Sequence, residues 1–256
     1  IIDRAVKWDL GVNFSLNRSK VLVLSEDKDI FGGELDNTIL KDQLNLMRVG
    51  EPMYVFYGYV EDGYDENGHI VYKNMDDDPA ITAADKTIIG DPNPDFLVNL
   101  TTAVSYKGFT LSAFFQSSIG NDIYSLSMAA QAYDYGYNGN TLREVYYNHW
   151  TPENPTAKYP NLDQTSYKMS DRFVYDGSFV RLKNLELAYD VPCARNKFIK
   201  RARVYVSAQN LFTITSYPFW DPDINANGGG SSMIQGVDSY CYPSARTYTI
   251  GCRLTF

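Results

Sequence analysis

Apolar residues alternate with polar ones over stretch after stretch of this chain, and that period limits what it can fold into. In AVKWDLGVNFSL, Val6, Trp8, Leu10, Val12, Phe14 and Leu16 share one parity, while Lys7, Asp9, Gly11, Asn13 and Ser15 hold the other. Successive side chains of a strand point to opposite faces, whereas one face of a helix recurs about every 3.6 residues. The pattern predicts strands with one apolar and one wet face. It returns in DFLVNLTTAVSY, where Phe96, Val98, Leu100, Val104 and Tyr106 share a parity. After KG, Phe109, Leu111, Ala113 and Phe115 do the same, with Phe114 an exception. RARVYVSAQNLF sets Val204, Val206, Ala208 and Phe212 against Arg203, Tyr205, Ser207 and Gln209, and RTYTIGCRLTF closes on Tyr248, Ile250, Cys252, Leu254 and Phe256. One segment changes phase. In FVRLKNLELAYD the apolar parity moves from Val180 and Leu182 to Leu185, Leu187 and Tyr189, which predicts a β-bulge at Lys183–Asn184. With VLVL at Val21–Leu24, about seven strands are expected.

Something apolar must receive the greasy face, either a core or lipid. The connections help to choose. NRSK and KG are short, the stretch from Asp190 to Arg201 is moderate, and the segments Ser25–Asp95, Ser118–Gly177 and Thr213–Arg246 are long. Short turns at one end and long loops at the other suit an outer-membrane barrel. A soluble sandwich seldom needs such long irregular connections. The residues on the other parity, Asn13, Ser15, Asn99, Thr101, Ser105, Ser112, Gln116, Ser207 and Gln209, would form a wet lumen wall. Aromatic residues make up 14% of the 256, with 21 Tyr and 13 Phe, types that favour strands and water–apolar boundaries. The net charge of −8 argues against a nucleic-acid partner. No apolar run is long enough for a spanning helix, which does not bear on barrel strands. The opening IIDRAVKWDL has no signal peptide and is strand-like at once, so the chain is expected to be part of something larger.

Several longer stretches then carry a family likeness. IGDPNPDFLVNLTTAVSYKGFTLSAFFQSSIGNDIY, HWTPENPTAKYPNL, RFVYDGSFVRLKNLELAYDVP, ARVYVSAQNLFTIT and PSARTYTIGCRLTF, in that order, resemble the C-terminal barrel of SusC-like TonB-dependent outer-membrane transporters. The resemblance covers nearly all of residues 1–256. It implies an all-β fold, the C-terminal seven or so antiparallel strands of a 22-stranded transmembrane barrel with long extracellular loops. It implies the outer membrane of a Gram-negative bacterium and uptake of oligosaccharides or oligopeptides. The partners it implies are a SusD-like lipoprotein, the remaining barrel and plug polypeptide, TonB acting through that plug, and outer-membrane lipid. The rival reading is a soluble glycan-binding β-sandwich module.

No catalytic constellation stands out, and His69 and His149 lie in separate loops without a nucleophile nearby, so no enzyme activity is expected. The sharpest local motif is NMDDDPAITAAD. Asn74, Asp76 and Asp78 fall at positions 1, 3 and 5 of a calcium loop, the Ala80 carbonyl at 7 and Asp85 at 12, a spacing of hard oxygens that suits Ca²⁺. Pro79 stands where the sharp turn wants Gly, and the alternative is a solvated acidic turn. Tyr133, Tyr135, Tyr137, Trp150, Phe219, Trp220 and Asp221 in the long loops are candidate ligand or partner contacts, packing among the loops being the other reading. NTLREVYYNHW shows a capping box, Thr141 with Glu144, ahead of a short helix. Of three cysteines, Cys252 belongs to an apolar face, and a Cys193–Cys241 disulfide is a weaker alternative.

Overall fold

The computed structural model describes residues 6–36, 40–133, 140–193, 198–224 and 233–256. Six long strands carry the alternating pattern: β1 (Val6–Ser15), β2 (Phe96–Tyr106), β3 (Phe109–Ile119), β4 (Phe179–Val191), β5 (Arg201–Thr215) and β6 (Thr247–Thr255). They form one antiparallel sheet in chain order. The register aligns the apolar parities: Trp8 lies opposite Val104, Val104 opposite Leu111, Leu111 opposite Leu187, Leu187 opposite Val206, and Val206 opposite Ile250. One apolar face thus runs unbroken across all six strands.

Val21–Leu24 is a correction. It forms no strand; Val21 is buried and exchanges backbone bonds with Gly50 and Glu51. Four apolar residues in a row have no wet parity to register against a neighbour, so NRSK leads into the first long loop instead of turning a hairpin. The KG turn behaves as a two-residue hairpin loop. Lys107 and Gly108 both have positive φ, 47° and 87°, the twist that matches right-handed strands.

The bulge lies where the phase change put it. On β3, Phe114 faces Asn184 and Phe115 faces Leu182, which leaves Lys183 unmatched. On β5, Phe212 faces Leu182 and Gln209 faces Asn184. Asn210 and Leu211 therefore oppose Lys183 alone, and Asn210 takes φ 52°, a conformation that Asn tolerates. The irregularity returns Leu185, Leu187 and Tyr189 to the apolar face.

That face meets no second sheet among the described residues. Ile250 is 87% and Val12 65% exposed. Two of its polar side chains are closed within it. The Trp8 indole N–H donates to Thr102 Oγ1 at 2.9 Å, and the Ser117 hydroxyl donates to the Val98 carbonyl while accepting from the Val98 amide. In hydrocarbon an unpaired polar atom costs several kcal/mol, so this closure fits a face turned to lipid. The sandwich expectation fails here, because a sandwich would press this face against another sheet. Near the short-turn end, Phe109 packs on Tyr189 at 4.5 Å and the Lys107 ammonium sits over the Tyr106 ring, an aromatic girdle of the kind found at membrane interfaces.

The buried core lies in the long loops instead. Short strands Ile30–Phe31, Asn45–Met47, Val55–Gly58 and Thr87–Gly90 make one sheet, and Asp122–Ser125 runs between Val174–Asp176 and Val237–Asp238 in another. Leu44, Phe56, Tyr124, Ala129, Phe173 and Val237 are buried together, so all three long connections contribute to one cap. Helix α1 (Leu126–Tyr133) is buried on nearly every side; α2 (Arg143–Tyr147) follows. The capping box at Thr141 and Glu144 does not form. Leu142 is the N-cap, Thr141 donates to the Gln131 carbonyl and Glu144 pairs with Lys158.

Candidate functional site

The wet parities of the six strands make a wall, and the cap roofs its long-loop end. One cross-strand row there runs Asn13, Asn99, Gln116, Arg181 and Thr213. Arg181 is its anchor, with only 1% of its side chain exposed. Its guanidinium pairs with Asp221, and donates to Thr213 Oγ1 at 2.9 Å, Ser244 Oγ at 3.2 Å and Asp223 Oδ2 at 3.3 Å. Burial pushes the Asp221 carboxyl up, but the Ser244 and Asp223 amides and Arg181 outweigh it and hold it below the usual carboxylate range. This cluster ties the last long loop to the wall. The sequence places Arg181 on the wet parity; its partners, some forty residues on, leave no local signal.

Asp221 is therefore a structural ion-pair partner and not a free acceptor for ligand hydroxyls, which corrects its placement among the contacts. Tyr133 is corrected too. It is buried, stacked on Tyr167 at 3.8 Å and edge-on to Phe173, and burial pushes its hydroxyl well above the ordinary tyrosine range. Tyr135 and Tyr137 lie outside the described residues. Trp150 is half-buried against the turn at Gly68, whose φ is +80° and where a Cβ would meet the indole at 2.2 Å. Phe219 packs on the cap core and stacks on Trp220 at 4.8 Å. Trp220, 56% exposed, is the one member of the set that the described structure leaves broadly open.

The acidic loop folds on itself. The side chains of Asn74, Asp76 and Asp78 each accept from the amide two residues on, at 3.1, 2.8 and 3.0 Å. Asp85 is buried and turned onto the amides of Met75 and Thr82, both at 2.7 Å. These two bonds hold its carboxyl below the usual range. With Thr82 it forms a capping box on the turn Ala83–Asp85. Position 12 of the calcium spacing thus serves the backbone. Among the described residues no three His, Cys, Asp or Glu side chains group as a metal set. In this structure the side chains of Asn74, Asp76, Asp78 and Asp85 are taken up by backbone amides.

All three cysteines are free thiols. Cys193 lies beyond β4 at the short-turn end and Cys241 in the cap, so the disulfide alternative is excluded by the length of the strands.

No family model matches the chain. TonB-dependent receptor P3 of Formosa agariphila is 31% identical over all of this chain and 27% of its own length. TonB-dependent receptor SusC of Bacteroides thetaiotaomicron is 28% identical over 100% of this chain and 25% of SusC. The chain is homologous to part of the TonB-dependent receptors, SusC among them. It spans about a quarter of the length of the curated relatives it matches. Among solved structures, the RagAB peptide transporter superposes with a TM-score of 0.79 at 25% identity, over 99% of this chain and 27% of that one. The RagAB peptide importer in its open-open state gives 0.76 at 26% identity, over 100% and 27%. The relatives are receptors and transporters, and the likeness includes both wall and cap.

Proposed function

We propose that the chain forms the C-terminal barrel wall and part of the extracellular cap of a SusC-like importer in the Gram-negative outer membrane. The observation that carries this reading is the continuous apolar face of β1 to β6, with no sheet packed on it among the described residues. Homology to TonB-dependent receptors supports the same reading. In such a barrel the short turns face the periplasm and the cap faces the outside. Cargo passes along the wet wall, energised by TonB through the plug. The cargo class is oligopeptide or oligosaccharide; the likeness to the RagAB peptide transporter supports peptide. A SusD-like lipoprotein covering the cap is part of this reading, supported by the likeness to SusC.

The test is a pair of substitutions in the full receptor. Leu185→Arg places a charge in the middle row of the apolar face, where lipid makes it cost about 2–4 kcal/mol. Ser207→Arg, on the neighbouring strand, points into the lumen and costs little. Outer-membrane yield and heat-modifiable migration should fall sharply for Leu185→Arg and hold for Ser207→Arg. Equal yields for both variants contradict the barrel reading.

A further inference from the structure

The outward apolar face is grooved at the short-turn end of β4, β5 and β6, over about 530 Å³. Two outward rows bank the groove, Tyr189–Val204–Cys252 and Leu187–Val206–Ile250. The row of opposite parity between them, Ala188–Tyr205–Gly251, is its floor, and Phe109 stands at its β3 end. The groove opens where the aromatic girdle stops. One cross-strand row runs Tyr106, Phe109, Tyr189, Val204 and Cys252. Three rings there give way to two small side chains, at a depth where barrels keep rings. Barrel strands tilt by about 35–45°, so a groove that crosses them slants into the bilayer, a path that an extended acyl chain can follow.

The rim of the groove is basic. Lys107 sits in the β2–β3 turn with its ammonium 5.1 Å from the centre of the Tyr106 ring, one row-mate from Phe109. Lys200 is exposed at the start of β5, where its amide donates to the Thr255 carbonyl at 2.7 Å. No Asp or Glu stands on the outward parity of β1 to β6 among the described residues. Lysine stems lie along apolar surface and carry the ammonium to the interface, where phosphate is the matching charge. A second copy of the same face fits less well: a two-fold contact would set groove against groove and lysine against lysine. We propose that this groove holds an acyl chain of a periplasmic-leaflet phospholipid, whose phosphate is met by Lys107 and Lys200. The inference rests on the importer reading above and adds a lipid site outside the lumen.

The experiment uses the full-length receptor, delipidated in detergent and incubated with dipalmitoyl phosphatidylglycerol. Lipid retained per receptor is counted by native mass spectrometry. The unaltered receptor should retain the lipid. Val204→Trp continues the girdle and fills the groove, and it should retain at least fivefold less. Lys107→Asn/Lys200→Gln leaves the apolar lining intact and gives the turn its favoured Asn-Gly pair; it should lose at least fivefold as well. Leu100→Trp adds the same kind of bulk on the same face away from the groove and should stay within twofold of the unaltered receptor. Retention within twofold in either the Val204 or the lysine variant overturns the proposal. So does an equal loss in Leu100→Trp, which would mark a nonspecific lipid belt, and so does equal retention of dipalmitoylglycerol, which lacks the phosphate. No lipid on the unaltered receptor, or a receptor dimer that Val204→Trp breaks, overturns it too, the dimer assigning the groove to a second copy. Failure of the importer reading itself is read separately, as equal yields of Leu185→Arg and Ser207→Arg.

Discussion

Arg181 occupies a position that strand parity marks only as wet, yet its surroundings make it the residue whose loss should cost the cap most. Replacing it with Met keeps the bulk and leaves the Asp221 carboxylate buried without its cation. Breaking one side of a buried pair typically costs about 3–5 kcal/mol, because a lone charge remains out of water. We expect Arg181→Met to open the last long loop, read as faster protease nicking around residues 216–224 in the assembled receptor. Arg181→Met/Asp221→Asn should recover most of the protection, since no charge is stranded; no recovery in the double variant would show that the pair is not the cause. The same carboxyl sets a pH dependence. Asp221 and Asp85 both titrate below the ordinary carboxylate value. A depressed folded pKa gives stability that is present above the unfolded value of about 4 and is lost as pH falls through the folded one. Nicking of the cap should therefore rise in acid below about pH 4. In Arg181→Met that rise should be shallower, because the ion pair is already gone. A slope equal to that of the unaltered receptor would count against Asp221 as a contributor.

At the scale of elements, the bulge at Lys183 shows what a period can and cannot reveal. The parity switch between Leu182 and Leu185 is visible in the residues alone, and the register shift sits there. Deleting Lys183 leaves Leu185, Leu187 and Tyr189 on the apolar face, so the receptor should still assemble. Deleting Glu186 flips Leu187 and Tyr189 into the lumen and sends Ala188 outward, and assembly should fail. Comparable outer-membrane yields for the two deletions would mean that facing is not what fixes this strand. The long strands were legible because each apolar residue takes its place on the exposed face one by one, independent of its distant neighbours. The cap was not, because its short strands pair across loops far apart in sequence, as Tyr124 does with Val237. For the same reason the loop aromatics could be found but not sorted. Tyr133 and Trp220 look alike in a loop sequence, and only the packing of Tyr167 and Phe173 separates the buried ring from the open one. Val21–Leu24 misled because an unbroken apolar run carries no parity; only Val21 is buried, while Leu22 and Val23 stand exposed in the loop.

For the whole molecule, the sheet ends in two open edges among the described residues: β1 pairs only with β2, and β6 only with β5. Each edge presents a row of amides and carbonyls, and each such group left unpaired in hydrocarbon costs several kcal/mol. Over strands as long as Val6–Ser15 and Thr247–Thr255 that sum exceeds the stability of an ordinary domain. The cap cannot offset it, because its core lies above the sheet and shields neither edge. Both strands therefore need neighbours from the rest of the receptor, and the sheet is a sector of a closed ring. Residues 1–256 produced alone and extracted in detergent should be recovered as aggregate or as mixed oligomers, since the edges will pair with each other between copies. Co-production with the remainder of the receptor should give a single species that migrates anomalously unless heated, as closed barrels do. A monodisperse monomer of residues 1–256 whose β1 and β6 amides exchange freely with solvent would refute the closed-ring requirement. Slow exchange at those two strands, seen only in the co-produced species, would place the missing partners at these edges.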